Sequence, residues 1–147
     1  MKAPAFDYIR VATVAEACAA LVHLGPDARL LAGGQSLLPA MNLRLASPSV
    51  LIDIGRVHGL EGIELRDDKL RIGALVRHET ALRDITIASH VPLLTEALRH
   101  VAHPAVRARG TIGGNLAHAD PASELPACML ALNAVIGVTS PRGPRQV

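Results

Sequence analysis

Two glycine pairs, Gly33-Gly34 and Gly113-Gly114, do more than any other feature to limit how this chain can fold. Glycine gives up more backbone freedom on folding than any other residue, so a pair of them needs a physical reason. The first pair ends the apolar run Arg29 to Ala32, within "LLAGGQSLLPAMNLRL" (30–45). The second lies in "RGTIGGNLAHADPASELPACMLAL" (109–132). Each has a hydroxylated residue and a side-chain amide close by: Gln35 and Ser36 in the first, Thr111 and Asn115 in the second. Successive backbone N–H groups with no Cβ in the way can form a concavity for an anion. A pyrophosphate needs donors from several directions, and two loops of this chemistry, Ala32–Ser36 and Thr111–Asn115, could supply them. Neither loop matches G-x-G-x-x-G or G-x-x-x-x-G-K-[ST], and either pair alone reads as readily as an ordinary turn.

The rest of the chain is punctuated into short elements. Phe6 to Val11 alternates aromatic and polar residues and reads as a strand. Thr13-Val-Ala-Glu16 is a capping box, and the Ala/Leu/Val pattern behind it runs to Leu24, where Gly25-Pro26 ends it. Arg29 to Ala32 and Val50 to Asp53 read as short strands, with a helical turn or two from Ser36 broken at Pro39. Gly55 to Gly59 reads as a linker. Leu60 to Leu65 and Lys69 to Ile72 are strands joined by Asp67-Asp68 as a hairpin. Arg77 to Arg83 and Pro92 to Ala102 have helical periodicity, and His103-Pro104 stops the second. The first half of 109–132 reads as loop and Leu125 to Leu132 as helix. Ala134 to Thr139 reads as a strand, and Pro141-Arg142-Gly143 as a turn into another. Strands and helices mix without the regular alternation of a doubly wound parallel sheet. The expectation is an α+β fold of two lobes, residues 1–55 and 56–147.

Composition narrows the function. Half of the 147 residues are hydrophobic, yet the only aromatics are Phe6 and Tyr8, which argues against a base-stacking platform. The formal charge of +2 comes from 15 basic and 13 acidic side chains spread without long runs, so neither a nucleic-acid nor a membrane surface is expected. The N-terminus does not read as a signal peptide and no apolar run is long enough to span a bilayer, which gives the expectation of a cytoplasmic protein. Cys18 and Cys128 match no C-x-x-C spacing and read as buried, reduced thiols in helical patterns, not as cluster ligands. His100 and His103 read as helix-end residues bonding the last carbonyls, with no metal site expected, and no G-x-S-x-G elbow exists. Ser123 and Glu124 fit a helix N-terminus, Ser123 as cap and Glu124 favourable to the dipole. Glu124 also fits an acceptor for polyol hydroxyls, and the two readings are compatible.

"AGGQSLLPAM" (32–41) together with "RGTIGGNLAHADPASELPA" (109–127) resembles the FAD-binding domain of the molybdenum hydroxylases. The nearest group is the flavoprotein (medium) subunit of carbon monoxide dehydrogenase-type enzymes, related to the flavin domain of xanthine dehydrogenase. "FDYIRVATVAEACAAL" and "VLIDIGRVHGLEGI" fit the same pattern, so the resemblance covers nearly the whole chain. It implies a fold similar to the vanillyl-alcohol oxidase/p-cresol methylhydroxylase flavoproteins, with FAD held by two α+β lobes. By position, Ala32, Gly33, Gly34, Gln35 and Ser36 would wrap the pyrophosphate. Thr111, Ile112, Gly113, Gly114 and Asn115 would meet the diphosphate and ribityl region. Glu124 stands where the family has an acidic residue, usually Asp, for the ribityl chain, and Ala119 and Asp120 lie beside the cofactor. No catalytic residue is implied, because the flavin itself carries the redox chemistry.

The implied partners are a small subunit with two [2Fe-2S] clusters and a large subunit with the molybdenum cofactor. In such a hetero-oligomer electrons would pass through the clusters to FAD and on to an external acceptor. Family members continue past the Ser-Pro-Arg-Gly turn, so the chain reads as a shortened version of something longer. The alternatives are a non-catalytic module that keeps the fold and partner contacts without flavin, or a stand-alone flavin oxidoreductase.

Overall fold

The structure, a computed structural model, describes residues 2–147. It separates into two compact units: the chain up to His58 together with Val135–Val147, and Gly59–Ala134.

The first unit begins with strand β1 (Asp7–Arg10) and helix α1 (Val14–Leu24). The capping box expected there is present: Glu16 N–H donates to Thr13 Oγ1 at 3.1 Å, and Thr13 N–H to Glu16 Oε2 at 3.3 Å. Gly25 ends the helix with φ 75°, and its N–H closes on Leu21 O. Strand β2 (Ala28–Leu31), helix α2 (Leu37–Asn42) and strand β3 (Val50–Asp53) follow. Pro39 does not break α2. It sits in the first turn, where its missing N–H has no intrahelical partner to lose.

β1 and β2 both run parallel to β3, in the order β1-β3-β2, with Asp7 and Ala28 each in register with Val50. This small parallel sheet was not legible in the sequence, although the mixed helix–strand class was. β3 is the central strand, and its Leu51 and Ile52 are both buried, as the middle of a two-sided sheet requires. With Val11, Ala17, Ala28, Met41 and Val57 they are the unit's buried hydrophobic residues, and each fully buried large aliphatic chain contributes about 1.5–3 kcal/mol.

The second unit opens with the hairpin β4 (Ile63–Arg66) and β5 (Lys69–Ile72), antiparallel, with Ile63 opposite Ile72. Asp67 and Asp68 have φ of 50° and 55°, the pattern of a two-residue hairpin turn that matches strand twist. Six helices follow: α3 (His78–Arg83), α4 (Ile85–His90), α5 (Pro92–His100), α6 (Pro104–Arg107), α7 (Ile112–His118) and α8 (Glu124–Ala131). Asp84 ends α3 and caps α4, accepting from the N–H groups of Thr86 and Ile87 at 2.9 Å. Pro92 begins α5 as expected. Pro104 starts a further turn of helix, α6, because a proline suits a first position as well as a stop. Val76, Ala81, Ile87, Leu94, Leu98, Val101, Ile112, Leu125 and Cys128 close one core.

Two expectations change here. Residues 112–118, read as loop, form α7, because Thr111 caps them. The last hairpin, β6 (Gly137–Ser140) with β7 (Gly143–Gln146), groups with the first unit, whereas the sequence left it with the second lobe. The Cys18 thiol lies 3.8 Å from the Thr139 carbonyl oxygen, one of the long-range contacts that sequence patterning cannot reveal.

Candidate functional site

In the first unit the segment 32–36 leaves the C-terminal end of β2 and turns into α2. Gly34 has φ 71°, and a Cβ there would lie 2.9 Å from Leu38 Cδ1. The turn therefore needs glycine for its backbone, the Leu38 contact being with the end of a flexible side chain. Among the described residues, the amides of Gly33, Gly34, Gln35 and Ser36 have no partner elsewhere in the chain. Ser36 is exposed and its hydroxyl makes no capping bond. Gln35 folds its side-chain amide back onto Gly33 O at 3.1 Å, so this group holds the turn's shape. Four successive unpaired N–H groups in a half-exposed turn are the donor set that an anion needs.

Beside this turn in the sheet, β3 ends at Asp53, in register with Leu31. Its Oδ2 accepts from Arg10 Nε at 3.1 Å and from the Tyr8 hydroxyl, and its Oδ1 from Gly55 N–H at 2.8 Å. Partial burial works against the charge, but these hydrogen bonds outweigh it and hold the carboxyl below its usual range. Asp53 is thus spent on the frame.

The second unit holds the other segment, and there the amides are occupied. Ile112 N–H donates to Val76 O at 3.0 Å and Gly113 N–H to Ala74 O at 2.9 Å. Gly114 N–H donates to Thr111 Oγ1 at 3.1 Å, and Asn115 N–H to Thr111 O at 3.0 Å. The backbone nest that the second glycine pair suggested is therefore not formed. Gly113 is glycine because a Cβ there would come within 2.5 Å of Ala74 Cβ. Thr111 is buried, and its hydroxyl serves as the cap of α7.

What remains for a ligand in this unit is side-chain chemistry at the junction of α7 and α8. Ser123 stands at the N-cap of α8 without capping it, and its hydroxyl donates instead to Asn115 Oδ1 at 2.9 Å. That bond leaves Asn115 Nδ2 to donate elsewhere. Glu124, half-buried, occupies the first turn of α8 as the sequence suggested. Ala119 ends α7 in the left-handed region with φ 52°, and the exposed Asp120 accepts from Ala122 N–H at 2.9 Å. Asn115, Ala119, Asp120 and Glu124 thus frame one turn.

His78 and Arg107 were not singled out by sequence reasoning. His78 is 4% exposed, and burial pushes its imidazole below the ordinary value of 6.5. Arg107 donates through Nη1 to the carbonyls of Val101 and Ala102 at 3.1 and 3.0 Å, and its Nε lies 3.3 Å from Glu79. Ala102 has φ 43°, a strained conformation for a residue with a Cβ, and Arg107 holds it. The helix-end role expected of His100 and His103 falls to His90, whose Nδ1 lies 2.9 Å from Thr86 O, while His100 pairs with Glu96. The only sign of Arg107 in the sequence was its place ahead of the second motif.

Residues 4–147 match the family described as the FAD binding domain in molybdopterin dehydrogenase. The chain is 48% identical over 147 residues to the 6-hydroxypseudooxynicotine dehydrogenase complex subunit alpha of Paenarthrobacter nicotinovorans, covering 100% of itself and 50% of that relative. It is 44% identical over 144 residues to the carbon monoxide dehydrogenase medium chain of Hydrogenophaga pseudoflava, covering 98% of itself and 50% of the relative. A solved structure of carbon monoxide dehydrogenase from that organism superposes with a TM-score of 0.98 at 44% identity, over 100% of this chain and 51% of the other. Quinoline 2-oxidoreductase from Pseudomonas putida 86 gives a TM-score of 0.96 at 46% identity, over 100% and 51%. The chain spans about half the length of the curated relatives it matches.

Proposed function

The chain belongs to the family of FAD-binding domains in molybdopterin dehydrogenases, and on that premise we propose that it is the FAD-holding part of a molybdenum hydroxylase's flavoprotein subunit. The observation that carries the reading is the run of four unpaired amides from Gly33 to Ser36. A pyrophosphate carries negative oxygens that need such donors, and the left-handed Gly34 sets their direction. In this reading Ala32 to Ser36 bind the pyrophosphate, with the Ser36 hydroxyl as a further donor.

Asn115 and Glu124 bind ribityl hydroxyls, the first by donating and the second by accepting. Gly114 gives the cofactor a surface without a side chain, and Ala119 and Asp120 border it. Thr111, Ile112 and Gly113 spend their polar groups on holding the turn in place. Bound FAD supplies the electron-transfer chemistry. The residues of this chain bind and orient it, and none is assigned a proton-transfer role.

The relatives are named as subunits or medium chains of larger enzymes. By analogy, the chain works in a hetero-oligomer with an iron–sulfur subunit and a molybdenum-cofactor subunit. Electrons would then run from the clusters through FAD to an external acceptor. Among the described residues no helix is long and apolar enough to cross a membrane.

The test is FAD affinity of the full-length protein, followed by flavin absorbance and fluorescence. Gly33→Val and Gly114→Val are each expected to abolish binding while circular dichroism keeps the wild-type form. Unchanged affinity in both variants would mean that the site is misplaced.

A further inference from the structure

His78 opens α3 and, with Thr111, is one of two buried polar side chains among the described residues. Thr111 uses its hydroxyl as a cap. Neither Nδ1 nor Nε2 of His78 has a hydrogen-bond partner among the described residues. A buried polar atom without a partner costs free energy that an apolar ring of similar shape would not. Packing alone therefore gives no reason for histidine at this position.

Its location supplies one. His78 N–H donates to Gly110 O at 3.0 Å. A Cβ on Gly110 would lie 2.9 Å from Nδ1 and 3.0 Å from Cε1, so the ring sits directly against Gly110. On either side, Arg77 bridges to Thr111 in antiparallel fashion. The ring thus packs against the bridged, extended segment Gly110–Thr111 from which α7 begins.

Burial is the main influence against a charge on this ring, and Arg107 on α6 adds to it. The nearby Thr111 backbone and Glu124 on α8 favour the charge but do not prevail. The remaining charged groups around α3 are engaged elsewhere, Arg77 through its bond to the Arg109 carbonyl. Glu79 pairs with Arg83 and Arg107, Asp84 caps α4, and on α5 Glu96 pairs with Arg99 and His100.

We propose that His78 is a positioning residue for FAD. As an uncharged ring against the Gly110–Thr111 segment, it holds the start of α7, and with it Asn115, in the arrangement that takes the cofactor. Uptake of a proton places a buried, poorly solvated charge against that segment and loosens it. This rests on the reading that Asn115 and Glu124 bind FAD.

The sign follows from the buried ring. The unfolded chain takes up the proton more readily than the folded one, so stability is complete above about pH 6.5 and is lost as pH falls below it. FAD affinity falls where the folded, FAD-free protein takes up this proton, which burial of the ring sets below pH 6.5.

The experiment measures FAD dissociation constants of the full-length protein from pH 5 to 8, with melting temperatures taken in parallel without FAD. Wild-type affinity should be level above about pH 6.5 and fall progressively as the pH drops below it. H78F and H78Q should lose that dependence, and H78F should melt no lower than wild type. A wild-type affinity independent of pH, or the same profile in the variants, overturns the proposal.

If neither variant folds, the imidazole of wild-type His78 is titrated by NMR. Binding reciprocity requires FAD to lower its pKa further, and an unmoved pKa overturns the proposal equally. The two failures are distinguishable. If Gly33→Val abolishes FAD binding while wild-type affinity is flat with pH, the site stands and His78 leaves it. If wild type binds no FAD at any pH, both fall.

Discussion

Gly34 and Gly113 are glycines for different physical reasons, and substitutions there should separate ligand effects from folding effects. Gly34 has a left-handed backbone in a turn with unpaired amides. Gly113 has an ordinary helical backbone, but its Cα faces Ala74, whose Cα and O would lie 2.8 Å from an added Cβ. Gly113→Ala must push α7 away from the chain at Ala74 and strain the Gly113–Ala74 hydrogen bond. It should lower stability by about 1–3 kcal/mol in urea unfolding, with or without FAD. A stability unchanged within error would show that the contact relaxes freely. The glycine pairs were conspicuous in the sequence, but their two different tasks were not, because a close approach depends on what the rest of the chain brings near. His78 was hidden for the same reason, since Gly110, Arg107 and Glu124 converge on it only in the folded unit.

Elements whose ends are decided by near neighbours were legible. The start of α1 is an exchange between Thr13 and Glu16, three residues apart, and the sequence displayed both partners. Thr13→Ala should cost about 1 kcal/mol, read as a lower urea midpoint at unchanged slope, because Glu16 N–H loses its acceptor. The β4–β5 hairpin and the start of α5 at Pro92 were legible on the same ground. α7 was not. Gly113 and Gly114 weaken intrinsic helix propensity, and the cap at Thr111 together with acceptors at Ala74 and Val76 overrides it. A threonine three residues ahead of the amide it caps was the available signal, and the glycines masked it. α4 was missed too, its cap Asp84 being shared with the end of α3.

At the scale of the whole molecule, each unit closes its own core, and ligand binding should register as added stability. FAD at about a hundred times its dissociation constant should stabilise the full-length protein by about 2.7 kcal/mol. The check is a dose-dependent rise in melting temperature, absent in Gly33→Val. The sequence by itself determined the capped helix, the hairpin turn, the glycine pairs and, through the two motifs at their spacing, the family. All of these rest on interactions between residues close along the chain or on the identity of the residues themselves. Only the tertiary structure decided that β1 and β2 lie parallel to β3, where Arg10 meets Asp53 from 43 positions away. It also decided which glycine pair keeps its amides free. A backbone N–H is available to a ligand only when no carbonyl elsewhere in the fold reaches it. Gly33 to Ser36 meet no such acceptor, whereas Ala74, Val76 and Thr111 bring theirs to α7.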